Sequence, residues 1–124
     1  KSSIDAVTKA ETQTQPVVQS TLGVSSETLD IIKKGLNRVS VTGGMNYLKV
    51  GTIKICAKTG TAETGTPNLY HTWLIAFAPM DNPQIAVLLM YENSPYSRST
   101  SMAPLVHRML QQYFDLYGGS NGSN

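Results

Sequence analysis

The spacing of apolar residues changes twice along this chain, and each change marks a new kind of element. Leu29, Ile32, Leu36 and Val39 recur every three or four residues, the period of a helix with one apolar side. Ser25 or Ser26 is placed to cap that helix, Glu27 stands in its first turn where the helix dipole favours a negative charge, and Gly43-Gly44 is placed to end it. Three β-prone runs follow: about Thr52 to Glu63, "HTWLIAFAP" at 71–79 and "QIAVLLMYEN" at 84–93. "MDNP" between the last two has turn composition, so they are predicted to form an antiparallel hairpin. "TGTPNLY", between the first two, is short enough to return the chain antiparallel as well. From Thr100 to Tyr117 the helical period returns, with Leu105, Val106, Met109, Leu110, Tyr113, Phe114 and Tyr117 in one broad stripe and Arg108, Gln111, Gln112 and Asp115 opposite.

These elements predict an α+β fold: an antiparallel sheet of at least three strands packed against N- and C-terminal helices. Residues 1–21 are polar with short islands such as "PVVQST", and read as a connecting segment or edge strand. Residues 22–117 hold the predicted helices and strands, and 118–124, "GGSNGSN", read as a flexible tail. "LIAFA" and "IAVLLM" are apolar on both sides of their strands, so a second body of protein is expected on the sheet face that the helices leave open.

Composition changes little. The 124 residues suit one domain or part of one, and 40% apolar with 15% charged content is ordinary for a soluble fold. A net charge of +2 with no basic block or stripe gives no reason to expect a nucleic-acid partner. Cys56 is the only cysteine, so the chain has no internal disulfide and no thiolate metal cluster; no metal or cofactor is expected. No signal sequence opens the chain, and no apolar run reaches the length of a membrane span.

The chemistry concentrates in "ICAKTGTAETGT" at 55–66. On a strand, Lys58 and Gly60 point to one face while Thr59 and Thr61 point to the other. A fixed positive charge, two hydroxyls and a backbone open to close approach at Gly60 suit an extended peptide ending in a carboxylate, laid alongside as an added strand. KTG alone recurs by chance in roughly a few per cent of chains of this length. Here "AKTGTAE" stands in order with three further segments: "SSETLDIIKKGLNRVSVTGG" before it, "HTWLIAFAPMDNPQIAVLLMYEN" after it and "APLVHRMLQQYF" at the close. Over roughly residues 22–117 this order resembles the C-terminal part of the transpeptidase domain of class B penicillin-binding proteins, most like the elongation type similar to penicillin-binding protein 2.

The resemblance implies a β-lactamase/transpeptidase-like fold and a serine D,D-transpeptidase that cross-links peptidoglycan, supports cell shape and is acylated by β-lactams. In that family a serine attacks the penultimate D-Ala carbonyl of a stem peptide, and the acyl group then passes to a neighbouring amine. By position, Lys58 holds the hydrogen-bond network and supports the substrate carboxylate, Thr59 and Thr61 grip that carboxylate through their hydroxyls, and the Thr61 backbone N–H is half of the oxyanion hole. Gly60 leaves room for the serine and lysine of the opposing motif. The implied partners are peptidoglycan stem peptides and β-lactams; the implied location is the outer face of the cytoplasmic membrane, anchored by a segment not in this chain.

One departure limits the chain. Ala6, Asp30, Ile31, Asn46, Gly51 and Ile55 stand three residues before Lys9, Lys33, Lys34, Lys49, Lys54 and Lys58, so no Ser-x-x-Lys is present, and no Ser-x-Asn either. Tyr91-Glu92-Asn93 reads as a strand terminus rather than a substitute. The nucleophile is therefore expected on the remainder of the transpeptidase domain, on a second chain or a missing segment, and this chain alone is expected to be inactive. A non-catalytic β-lactam sensor or peptidoglycan-binding module and a purely structural interaction domain are the competing readings. Among the other residues, His71 and Trp73 either shape the cleft floor or pack, His107 is structural, Glu63 is solvated or borders the cleft, and Cys56 is a small buried strand residue whose pKa Lys54 and Lys58 are placed to lower.

Overall fold

A serine in extended conformation starts the first long element. Ser25 Oγ accepts a hydrogen bond from the Thr28 N–H at 3.2 Å, supplying a partner that first-turn amides otherwise lack. Helix α1 then spans Ser26–Val41, with Glu27 in its first turn and Arg38 in its last, both complementary to its dipole. The computed structural model describes residues 2–13, 15, 17–42, 45, 47–95 and 99–118. The predicted helix stop at Gly43-Gly44 and the predicted tail beyond residue 118 lie outside these residues.

The sheet comprises β3 (Cys56–Glu63), β4 (Tyr70–Ala78) and β5 (Ile85–Ser94), antiparallel throughout in the order β3-β4-β5. The first strand starts later than the predicted Thr52. Val50 and Ile53 bridge across a tight turn in which Gly51 takes a left-handed φ of 53°, and the ladder begins only after that reversal. At the β4–β5 turn the Met80 N–H donates to the Lys54 carbonyl at 2.8 Å, tying the turn to the segment that enters β3.

Cross-strand partners share a face, so Ala57, Thr59 and Thr61 of β3 lie on the same side as Ala76, Leu74 and Thr72 of β4. This side is the core. Ala57, Leu74, Ala76 and Ala78 are buried there with Met102, Ala103, Val106, Leu110 and Phe114. The last group comes from a 3-10 turn at Ser99–Met102 and from helix α2, Ala103–Tyr117, which carries Pro104 in its first turn where no amide donor is lost. The broad apolar stripe predicted for α2 is narrower in the structure. Val106, Leu110 and Phe114 face the sheet, whereas Leu105, Met109 and Tyr117 are exposed. A sheet of three strands is too narrow to cover a stripe that wide.

Helix α1 behaves differently. Ile32 is exposed, Leu29, Leu36 and Val39 are half-buried, and the helix is attached to the start of β3 by polar contacts. Asn37 Nδ2 donates to the Ile55 carbonyl at 2.7 Å, and the buried Ser40 hydroxyl shares its proton between that carbonyl at 2.6 Å and the Asn37 carbonyl at 2.7 Å.

The N-terminal segment forms its own hairpin, β1 (Ser2–Ile4) with β2 (Glu11–Gln13), rather than adding to the main sheet. Asp5 Oδ1 braces the turn by accepting from the Thr8 amide at 2.6 Å, the Thr8 hydroxyl at 2.9 Å and the Val7 amide at 2.9 Å, contacts that hold its carboxyl below the usual carboxylate range. In the β-prone "PVVQST" island the described residues, 17–21, form no strand, and Val17 and Val18 are exposed.

In the protein containing this chain, Leu110→Ala is expected to lower unfolding free energy by about 2–5 kcal/mol, the range for a truncated core leucine. Met109→Ala, one residue along but 47% exposed, is expected to cost less than about 1 kcal/mol. Urea unfolding of the two variants measures the difference, and equal losses would contradict the placement of the α2 seam.

Candidate functional site

The KTG segment lies wholly within β3, and β3 is an edge: among the described elements it pairs only with β4. Its alternation is the predicted one. Lys58 and Gly60 stand across from Ile75 and Trp73 on the face away from α2, while Thr59 and Thr61 stand across from Leu74 and Thr72 on the helix side. Lys58 is exposed, and its ammonium donates to the Thr59 carbonyl at 2.6 Å, so the cation rests along its own strand. Thr59 is half-buried and Thr61 exposed, so neither is sealed in the core.

Gly60 has the half-buried Trp73 as its near neighbour. A methyl group added to Gly60 would lie 3.5 Å from Trp73 Cβ, an ordinary contact, so packing against β4 does not by itself require glycine here. Trp73 therefore packs beneath the motif, and His71 Nδ1 accepts from the Asn93 N–H at 3.2 Å, joining the start of β4 to the end of β5. Tyr91-Glu92-Asn93 occupies the last residues of β5, with Asn93 at a left-handed φ of 51°. Among the described residues no group of three or more His, Cys, Asp or Glu is placed to hold a metal ion.

Cys56 is the small buried strand residue expected, with its thiol pKa raised rather than lowered as the flanking lysines predict. It is fully buried, and its Sγ lies 3.3 Å from the Lys33 carbonyl of α1, to which it donates. Burial pushes its thiol up, Lys33 opposes that and Asp81 adds to it. The flanking Lys54 and Lys58 do not activate it, because both ammonium groups sit in solvent, where a charge is screened.

The face shared by Lys58 and Gly60 is otherwise apolar and open. Ile75 is 45%, Leu88 58% and Met90 38% exposed. Three such side chains together, on a sheet whose other side is packed, form a patch that monomeric soluble proteins seldom leave bare. At the far end of β3, the link to β4 shapes a cavity of about 270 Å³ whose wall includes Glu63, Asn68, Leu69 and Tyr70. Reading the sequence left Tyr70 out, since only the strand register sets it across from Glu63.

A family model for the penicillin-binding protein transpeptidase domain matches residues 2–111. The chain belongs to this family. Penicillin-binding protein 2A of Bacillus subtilis (strain 168) is 32% identical over 116 residues, covering 82% of this chain and 16% of the relative. The chain thus spans about a sixth of that relative's length, 16%. Among solved structures, the D,D-transpeptidase domain of a peptidoglycan glycosyltransferase from Eggerthella lenta superposes with a TM-score of 0.68 at 20% identity, over 90% of this chain and 26% of that one. Penicillin-binding protein A from Mycobacterium tuberculosis, in its imipenem acyl-enzyme complex, gives 0.58 at 26% identity over 82% of this chain and 23% of that one.

The α+β layout predicted from the sequence is thus the fold of transpeptidase domains. The chain is part of a penicillin-binding D,D-transpeptidase domain, a family of cell-envelope proteins that bind β-lactams and act in peptidoglycan synthesis. Among the described residues no helix is long and apolar enough to cross a membrane.

The raised Cys56 thiol sets a direction for stability against pH. The neutral thiol is favoured in the native state, so its contribution is complete below the ordinary value of 9.0 and is lost as pH climbs through the higher native value. Native protein is expected to react slowly with an aromatic disulfide reagent at neutral pH and fast once denatured, and to lose stability as pH rises above about 9. Rapid labelling of the folded protein would contradict the buried placement.

Proposed function

We propose that β3 is the substrate-binding wall of a serine D,D-transpeptidase that cross-links peptidoglycan and is acylated by β-lactams. The supporting observation is the edge position of the motif: β3 presents Lys58 and Gly60 on one face, Thr59 and Thr61 on the other, with its outer side unpaired among the described elements. An extended peptide can add to such an edge, its backbone supplying the pairing and its terminal carboxylate meeting charge and hydroxyls.

In this reading Lys58 leaves its resting contact with the Thr59 carbonyl to hold the active-site hydrogen-bond network and to offset the carboxylate. The hydroxyls of Thr59 and Thr61 grip that carboxylate, and the Thr61 N–H donates to the oxyanion as the carbonyl becomes tetrahedral. The serine and its Ser-x-x-Lys lysine come from the remainder of the domain, outside this chain. That remainder covers the open face of Ile75, Leu88 and Met90, and Gly60 is glycine because the opposing motif must approach there. The "HTWLIAFAP" hairpin supports the class B reading, and the detail of the segments together leans toward the elongation-type, monofunctional enzymes. Its working location is the outer face of the cytoplasmic membrane, where its stem-peptide substrates lie.

Two substitutions in the intact domain separate catalysis from folding. Lys58→Ala is expected to slow acylation by a labelled penicillin about 100-fold, the scale for losing one electrostatic contact at an acyl-transfer site. Gly60→Ala is expected to change unfolding free energy by less than about 1 kcal/mol, because its methyl group meets Trp73 at ordinary distance. The same variant is expected to slow acylation at least about tenfold, since a misplacement of about 1 Å can cost two orders of magnitude. Wild-type labelling rates in both variants would defeat the assignment of β3 to the cleft.

A further inference from the structure

Along the core side of β4 the residues run Thr72, Leu74, Ala76, Ala78, so one hydroxyl stands in a row that is otherwise apolar. Thr72 is 1% exposed, and among the described residues its Oγ1 finds no hydrogen-bond partner and is shut off from bulk water. The 3-10 turn at Ser99–Met102 packs against both β3 and β4, and its Met102 joins the core that holds Leu74. Burying a hydroxyl without a partner is costly, and valine would fill the same space without that cost. The packing of the core therefore gives no reason for this oxygen.

The strand register supplies one. Thr72 is the direct cross-strand partner of Thr61. Such partners carry their Cβ atoms about 4.5–5.5 Å apart, and two threonines so placed are within hydrogen-bonding reach once their side chains turn toward each other. Thr61 is exposed while Thr72 is sealed, so the pair runs from the edge of the strand's open surface into the core. On the reading of β3 given above, Thr61 Oγ1 donates its proton to a ligand carboxylate. A hydroxyl that donates keeps two lone pairs, and one that accepts at the same time is the stronger donor. We propose that Thr72 is a positioning residue for Thr61: its buried hydroxyl donates to Thr61 Oγ1 when Thr61 donates to the bound carboxylate. The chain from Thr72 through Thr61 ends on an ionised acceptor, where hydrogen bonds are strongest. The Thr72 oxygen is unmatched in the resting fold and matched in the ligand-bound one, so the difference favours ligands with an acidic end.

The proposal rests on the β3 reading, and acylation of the intact transpeptidase by a penicillin and by its methyl ester tests it. The two compounds differ only at the carboxylate, and each rate is read by protection against a labelled penicillin. The acid-to-ester ratio of rates, taken within each variant, cancels general losses of activity. Thr72→Val is expected to lower that ratio about threefold to tenfold, the span of one hydrogen bond, while its midpoint of urea unfolding stays at or above wild type. Thr72→Ser keeps the hydroxyl and loses a buried methyl group, so it is expected to hold the wild-type ratio with a lower midpoint. In Thr61→Val the ratio is expected to fall, and adding Thr72→Val to lower it no further, because Thr72 acts through Thr61. A wild-type ratio or a midpoint well below wild type in Thr72→Val, a ratio lowered alike in Thr72→Val and Thr72→Ser, or a further fall in the double variant overturns the proposal. If Thr61→Val alone still lowers the ratio, the β3 reading survives that failure. A wild-type ratio in Thr61→Val, or equal acylation of wild type by acid and ester, defeats the carboxylate role of β3 and the proposal with it.

Discussion

The continuous register between β3 and β4, from Cys56 opposite Phe77 to Glu63 opposite Tyr70, is the constraint on which the rest of the molecule depends. Strand side chains alternate, so a slip of one residue would exchange the faces of Lys58 and Gly60 with those of Thr59, Thr61 and Glu63. Nothing in the motif itself prevents that slip. What prevents it is the core side of the sheet: a slipped β3 would turn the buried Ala57 toward water and bring Lys58 in beside Leu74 and Ala76, which pack with Val106 and Leu110. The chemistry on one strand is thus oriented by the packing of another strand and a helix.

The two faces of the sheet carry different loads. The helix side is dry and supplies the stability that a three-stranded sheet cannot find alone. The other side leaves Ile75, Leu88 and Met90 exposed beside Lys58 and Gly60, and β3 leaves an edge. Open edges and bare apolar patches invite association with other protein. In a chain that spans about a sixth of its curated relative, such a face suits contact with the rest of a transpeptidase domain. The open apolar side of the sheet is also the side on which the Lys58 cation stands.

Polar contacts give β3 its fixed entry. Asn37 and Ser40 of α1 both reach the Ile55 carbonyl, and Cys56 donates to the Lys33 carbonyl one turn earlier. Satisfying a carbonyl where the ladder has not yet begun avoids an unpaired buried acceptor. It also explains why α1 needs little apolar burial: it anchors a strand end more than it builds a core.

Much of this was legible in the order of residues. The helix cap at Ser25, the three strands and their antiparallel turns, and the alternation of Lys58 with Thr59 follow from local geometry, because caps, turns and a two-residue period are properties of a few neighbouring positions. Family membership was legible too, since motif order survives where overall identity is low. Other features were decided only in three dimensions: the narrow seam of α2, the late start of β3 behind Gly51, the raised thiol of Cys56, and the pairing of Glu63 with Tyr70 around a cavity. Each depends on which distant segment lies across from a residue and how much water it excludes. Burial, desolvation and cross-strand proximity are relations between remote parts of the chain, and no local pattern encodes them.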